Sequence, residues 1–236
     1  MSGKYDATHI KVLEGLEGVR KRASMYIGST SKDGLHHLIY EAVDNSVDEA
    51  LAGHCTKINV TINKDGSATI EDDGRGIPVD IHPQYKIPAV EVALTKLHAG
   101  GKFDKKTYMI SGGLHGVGIS VVNALSKKLI IEIKRGGKIY KQEYSRGKAK
   151  TKLSVIGKCD KNNTGTKVIF FPDDEIFSTL KFDYKVLETR FREIAFLNAG
   201  LKINLNDEIK NKKEEFFASG GLIEFVKWVN KSKEVM

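Results

Sequence analysis

The stretch His36 to Ala50, H-H-L-I-Y-E-A-V-D-N-S-V-D-E-A, decides how the rest of the chain is read. If Leu35 to Leu51 is helical, then Leu35, Ile39, Ala42, Val43, Ser46 and Ala50 form one apolar stripe at the helical period. Glu41 and Asn45 then lie one turn apart on another face, with Asp48 beside them. A carboxylate next to a carboxamide along the edge of a core stripe is an unusual pairing. Two further patches fit the same site: the turn D-D-G-R-G-I-P, Asp72 to Pro78, and the glycine-rich run S-G-G-L-H-G-V-G, Ser111 to Gly118. Together the three supply a base, a metal ligand, a reader for a nucleobase and a cradle for phosphates.

Outward from this helix, the pattern is one of strands with a few helices. Ile58, Val60 and Ile62 alternate with polar residues, Asn63 to Gly66 supplies turn chemistry, and Ala68 to Glu71 runs back, which reads as a hairpin. Pro88 to His98 has helical spacing and ends at Ala99-Gly100-Gly101. The stretch from Gly100 to Gly116 is then a long loop, and loops beyond about 12 residues are usually lids or binding loops. From Gly118 a short helix leads into L-I-I-E-I-K, Gly136-Gly137 and K-I-Y-K-Q-E-Y, a second hairpin, followed by strands at Lys152 to Ile156 and Lys167 to Phe171. Asp183 is placed to cap a helix over Tyr184 to Leu197, with Gly200 as its stop and a strand over Leu201 to Leu205. Strands outnumber crossovers. The expected class is therefore α+β, a two-layer sandwich of a mainly antiparallel mixed sheet with helices on one face. Residues 1–30 read as a loosely structured N-terminal arm with apolar anchors, 31–219 as the main domain, and 220–236 as an amphipathic helix that begins a further, truncated domain.

Composition bounds the function. The 236 residues are 40% hydrophobic, enough for a substantial core. Two cysteines and the lack of a long apolar span fit a reducing cytoplasm and no membrane. The net charge of +8 favours polyanions, although charge alone does not separate nucleic-acid contact from a solvated basic surface. A Walker A loop is absent, because Gly100-Gly101-Lys102 is followed by Phe103 and preceded by Lys96 where the first glycine should stand. Gly116-x-Gly118 lacks the third glycine and the strand context of a dinucleotide fold. No zinc-type spacing of His and Cys occurs. The phosphate site, if present, is of another kind: amides of Gly113 to Gly118 running into a helix N-terminus.

The combination of Glu41-x-x-x-Asn45, Asp72-x-Gly74-x-Gly76 and Gly113-x-x-Gly116-x-Gly118 resembles the GHKL ATPase superfamily, whose ATP-binding fold is the Bergerat type. The strings R-K-R-x-x-M-Y-I-G, E-D-D-G-R-G-I-P, L-H-A-G-G-K-F-D and S-G-G-L-H-G-V-G look most like the ATPase domains of DNA gyrase B subunits, and the likeness runs from Tyr5 to Asp207. The resemblance implies ATP and Mg²⁺ as cofactors, DNA and a gyrase A subunit as partners, a homodimer on ATP binding, and a type IIA topoisomerase reaction that aminocoumarins inhibit. It gives Glu41 the role of general base, worth on the order of 10²- to 10⁴-fold, with His37 orienting it. Asn45 would offer its oxygen to Mg²⁺. Asp72 would accept from the adenine amine, a contact the O6 of guanine cannot make, with Thr166 reaching the base through Asp72 and water. Glu49 and Arg75 would pair at the pocket mouth, an exposed pair contributing only about 0 to 1 kcal/mol. Gly76, Ile77 and Pro78 would pass the base. Gly101, Lys102, Tyr108, Gly113, Leu114, His115, Gly116, Val117 and Gly118 would surround the phosphates, Arg135 would stand at the aminocoumarin edge, and Tyr5 and Ile10 would belong to an arm embracing a second protomer.

Ala23-Ser24 stand where many relatives have Pro-Gly. The chain also ends before the domain whose lysine meets the γ-phosphate in the family, so the expectation is nucleotide binding with poor hydrolysis. Rival readings are the B protein of topoisomerase IV, which shares these motifs, a Hsp90- or MutL-like ATPase, which would lack L-H-A-G-G-K-F-D and S-G-G-L-H-G-V-G, a histidine kinase, which needs no Glu41, and a nucleotide sensor.

Overall fold

The computed structural model describes residues 15–97, 99 and 118–230. Its strands are β1 (Lys57–Ile62), β2 (Ala68–Asp72), β3 (Ser126–Arg135), β4 (Lys138–Ser145), β5 (Lys148–Ala149), β6 (Ser154–Lys158), β7 (Gly165–Pro172), β8 (Lys202–Asp207) and β9 (Lys212–Phe216). They form one sheet in the order β5-β4-β3-β7-β2-β1-β8-β9, with β6 also paired to β4. The pair β1 with β8 is parallel and all other pairs are antiparallel. The mainly antiparallel mixed sheet expected from the sequence is what forms.

Register shows why one face is covered. Val60 lies opposite Ile70 of β2 and Leu205 of β8, Ile70 opposite Val168 of β7, and Val168 opposite Ile131 of β3. All five are buried and belong to a single core with Leu38, Ile39 and Val43 of α3 (Lys32–Leu51). The alternate residues face the other way. There Glu71 lies opposite Lys167, Lys167 opposite Glu132, and Glu132 opposite Lys141, a cross-strand ladder of alternating charge. Period-two alternation thus sends every second side chain of the central strands under the helices and the rest towards water.

The covering layer contains α3, α4 (Ala89–Thr95), α5 (Gly118–Ala124) and α6 (Tyr184–Leu197). Asp183 caps α6 as anticipated, its side chain accepting from Lys185 N at 2.9 Å. The same carboxylate pairs with Lys32 at the start of α3, and Asp183 N donates to His36 Nε2 at 2.8 Å. One residue therefore ties the beginnings of two helices together and fixes where α3 starts.

The region read as loose beyond residue 14 is instead two short helices, α1 (Leu16–Lys21) and α2 (Ser24–Ile27). Leu16, Val19, Ala23 and Ile27 are buried, so the apolar anchors of that stretch are core residues. Arg20 of α1 reaches Ala124 O at 2.7 Å and Oδ2 of the fully buried carboxylate of Asp173 at 2.8 Å, and Arg146 Nε meets the same oxygen, also at 2.8 Å. Three distant segments are joined by that one acid. β5 and β9 were not foreseen, β6 begins at Ser154 rather than Lys152, and α4 ends at Thr95. The final helix, α7 (Leu222–Asn230), forms as expected and packs on α6 through Phe196 with Phe225 and Trp228.

Candidate nucleotide site

On α3, the 3.6-residue repeat sets Glu41 and Asn45 side by side where the helix leaves the core, both half-buried. The Asn45 amide nitrogen donates to Glu41 O at 2.9 Å, which leaves the amide oxygen as the atom turned away from the helix. Gly118, the first residue of α5, lies directly on the Glu41 carboxylate: a Cβ there would collide with Glu41 Oε2. A side chain at that point would push the Glu41 carboxylate aside. The start of α5 and the candidate base are thereby held against one another.

Asp72 ends β2, one strand from the parallel pair, and three donors converge on it. Gly74 N and Thr166 N donate to Oδ1 at 3.0 and 3.2 Å, and Ser46 Oγ of α3 donates to Oδ2 at 2.8 Å. An ionised carboxylate offers about four acceptor positions, so among the described residues one remains for a donor outside the protein. Loss of hydration pushes the Asp72 carboxyl above the ordinary range; the hydrogen bonds from Ser46, Gly74 and Thr166 oppose that, and the nearby charge of Glu49 adds to it. Its neighbour Asp73 does a different job. It accepts from Thr56 N, Thr56 Oγ1 and Lys57 N at 2.8, 2.6 and 2.9 Å, which stitches the turn to the start of β1.

The turn after Asp72 is locked on every side. Arg75 and Glu49 make a two-pronged pair, Nε to Oε2 at 3.0 Å and Nη2 to Oε1 at 2.8 Å, and Arg75 N also donates to Glu49 Oε2 at 3.1 Å. This is more than the loose rim pair expected, because the backbone is bound as well as the guanidinium. Gly76 has φ of 74°, and a Cβ there would stand 2.7 Å from Lys134 O. Both the left-handed conformation and the close approach demand glycine. Arg135 Nη1 donates to Arg75 O and Gly76 O at 3.0 and 2.7 Å, so Arg135 braces the turn from the end of β3. Ile77 N donates to Thr166 Oγ1 at 3.2 Å, Ile77 packs on the core, and Pro78 is exposed.

The structure thus brings together Glu41, Asn45 and Gly118 on one side and Glu49, Asp72, Arg75, Gly76, Ile77, Arg135 and Thr166 on the other, joined through Ser46. His37 is not drawn in: it is exposed, its ring meets Tyr40 edge-on at 5.5 Å, and among the described residues it makes no hydrogen bond to Glu41. Tyr5, Ile10, Gly101, Lys102, Tyr108, Gly113, Leu114, His115, Gly116 and Val117 lie outside the described residues. Sequence reasoning placed Ser46 in the apolar stripe, where it is indeed buried, and so missed its hydroxyl bond to Asp72; a hydroxyl in an otherwise apolar stripe was the available signal. It also passed over Gly165, whose Cβ would strike Asp72 O. No group of three or more His, Cys, Asp or Glu suited to a metal is present among the described residues.

Residues 30–176 match the model of the family described as histidine kinase-, DNA gyrase B-, and HSP90-like ATPase. The DNA gyrase B protein of Campylobacter jejuni is 56% identical over 99% of this chain, and that of Thermotoga maritima is 59% identical over 99%. The chain spans 30% and 36% of the length of these two relatives. Among solved structures, the 43K ATPase domain of Thermus thermophilus gyrase B in complex with an aminocoumarin superposes with a TM-score of 0.85 at 46% identity, covering 95% of this chain and 57% of that one. The GHKL fold is the one seen here. The chain belongs to the histidine kinase-, DNA gyrase B- and HSP90-like ATPases and is, within them, similar to the ATPase domain of gyrase B.

Proposed function

We propose that this chain binds ATP with Mg²⁺ and hydrolyses it as the ATPase domain of a gyrase B-type protein in the cytoplasm. On this reading two copies pair when ATP binds. Pairing, with a gyrase A subunit, drives DNA strand passage and negative supercoiling. The observation that carries the reading is the Asp72 carboxylate, with three acceptor positions filled by Ser46, Gly74 and Thr166 and the fourth left for an amine such as that of adenine. Asn45 fits the metal because its nitrogen is already committed to Glu41 O, which directs its oxygen outward. Bound Mg²⁺ would neutralise charge on the phosphate oxygens. Glu41 would take the proton of the attacking water, on the order of 10²- to 10⁴-fold in rate, and Gly118 keeps its carboxylate beside the start of α5. His37 would orient Glu41 after turning from Tyr40. The two relatives named above are gyrase B proteins, so the topoisomerase IV alternative is not favoured.

The test is calorimetric titration of the chain with novobiocin, an aminocoumarin, in the wild type and Asp72→Ala. Binding in the wild type that is lost in the variant is expected. Absence of wild-type binding would count against a gyrase-type pocket.

A further inference from the structure

The basic charge of this chain is not spread evenly. Lys127 to Lys161 holds twelve Lys and Arg against three Asp and Glu, a net charge of +9, while the whole chain carries +8. These residues form one edge of the sheet: the hairpin β3–β4 and the short strands β5 and β6, both paired to β4. From Tyr144 to Cys159 there is no acidic residue. Lys148, Lys150, Lys152 and Lys158 follow one another along the edge, all exposed and, among the described residues, none in an ion pair. Lys138 lies directly opposite Lys158 in the register. Like charges in that position disfavour the pairing, so the arrangement costs the fold something.

Lysine on an edge strand also guards against edge-to-edge aggregation. The opposite edge of this sheet shows what that guard looks like here. In β9, Lys212 and Lys213 are followed by Glu214 and Glu215, and the two acids pair with Arg192 and Lys202 at 2.7 and 3.2 Å. Mixed signs suffice to blunt an edge. The single acid of β4, Glu143, is held between Lys128 and Lys141, and from Ser145 to Lys158 the edge carries one sign only, which protection against aggregation does not require and a polyanion does.

We propose that the β4–β6 edge is a docking surface for duplex DNA. The eight residues of β4 span on the order of 25 Å, a length over which a duplex presents roughly fifteen phosphates. Single strands are bound by stacking on exposed rings, and this edge offers Val155 and Ile156 but no exposed aromatic side chain. The choice of DNA as the polyanion rests on the reading of the chain as a gyrase B-type domain. Lys148, Lys150 and Lys152 are not among the nucleotide residues, although Ile139 of β4 and Ile156 of β6 line the same cavity as Asp72 and Thr166.

The experiment is fluorescence anisotropy of a labelled duplex of about 20 bp titrated with the chain across a salt series. It compares wild type, the triple variant Lys148→Glu/Lys150→Glu/Lys152→Glu, and the control Lys212→Glu/Lys213→Glu. ATP-analogue binding is measured on the same preparations. The triple variant is expected to weaken duplex binding at low salt by about tenfold or more and to flatten the log–log salt slope by roughly 3, since each phosphate contact contributes about 0.9, while the control stays near wild type. No wild-type binding, equal losses in both variants, or equally tight binding of a single strand overturns the proposal. A chain that binds ATP analogue but not duplex refutes this surface alone; one that binds duplex through this edge but no ATP analogue upholds the surface and removes the proposed function.

Discussion

In the proposed function, recognition turns on Asp72, and its titration makes a pH-dependent prediction. Its carboxyl is raised above the ordinary value in the free protein, mainly through lost hydration. An amine donating to the carboxylate favours the ionised form and lowers that value, so ligand binding releases a proton where the free group is partly protonated. Affinity for an adenine nucleotide should therefore fall as the solution is acidified through the raised value and level off above it. Calorimetry between mildly acidic and neutral pH checks this, and Asp72→Asn should abolish the dependence together with most of the affinity. Glu41 makes a complementary prediction. In a catalytically competent assembly, Glu41→Ala should retain nucleotide binding and lose turnover on the order of 10²-fold or more, measured by steady-state phosphate release beside equilibrium binding. Gly118→Ala, which would displace the Glu41 carboxylate, should also lower turnover, by less than Glu41→Ala.

At the scale of elements, α3 is the platform, and its position depends on contacts far from the chemistry. Leu38 is fully buried beneath it, and Leu38→Ala should cost about 2 to 5 kcal/mol of stability, read from urea unfolding. Asp183→Ala removes the cap of α6 and the link to Lys32, and should cost about 1 kcal/mol or somewhat more. The elements legible in the sequence were those whose signals are local. The Asp183 cap and the Gly200 stop gave α6, alternation gave β1, the Asn63 to Gly66 turn gave the first hairpin, and Gly136-Gly137 between two apolar runs gave the second. β9 escaped because K-K-E-E-F has no alternation: it is an edge strand with one buried residue, Phe216. α1 and α2 escaped because their apolar residues are few and their burial comes from contacts with α5 and α3. In the site, Glu41, Asn45 and Asp72 were legible through spacing and resemblance. The hydroxyl of Ser46, the tight seat of Gly165 and the grip of Arg135 on the turn are contacts between residues 26 to 94 positions apart, which no local pattern encodes.

For the molecule as a whole, stability should weaken on acidification in two separate windows. Burial holds the imidazole of buried His36 below its ordinary value of 6.5, where it accepts a hydrogen bond from Asp183 N. The folded state then binds fewer protons than the unfolded one, so stability is full above about 6.5 and declines below it until the folded group itself protonates. His36→Gln should flatten the dependence of unfolding free energy on pH between neutrality and mild acid. At Asp173, burial opposes the charge, but hydrogen bonds from Glu175 N, Arg146 and Arg20 outweigh it and hold the carboxyl below its ordinary 3.8. Its contribution is present above that value and disappears as pH falls through the lowered one. Asp173→Asn should lower the thermal midpoint at neutral pH and remove the steeper part of the acid transition.

The same packing that sets these stabilities also holds the pocket: α3 carries Glu41, Asn45 and Ser46, and the sheet carries Asp72 and Thr166. The central claim, that this pocket selects adenine through Asp72, is tested most directly by calorimetric titration of the chain with non-hydrolysable ATP and GTP analogues, for wild type and Asp72→Asn at neutral pH. Binding of the ATP analogue over the GTP analogue in the wild type, with that preference lost in the variant, is the predicted result; equal binding of the two in the wild type, or a preference that survives in Asp72→Asn, would contradict it.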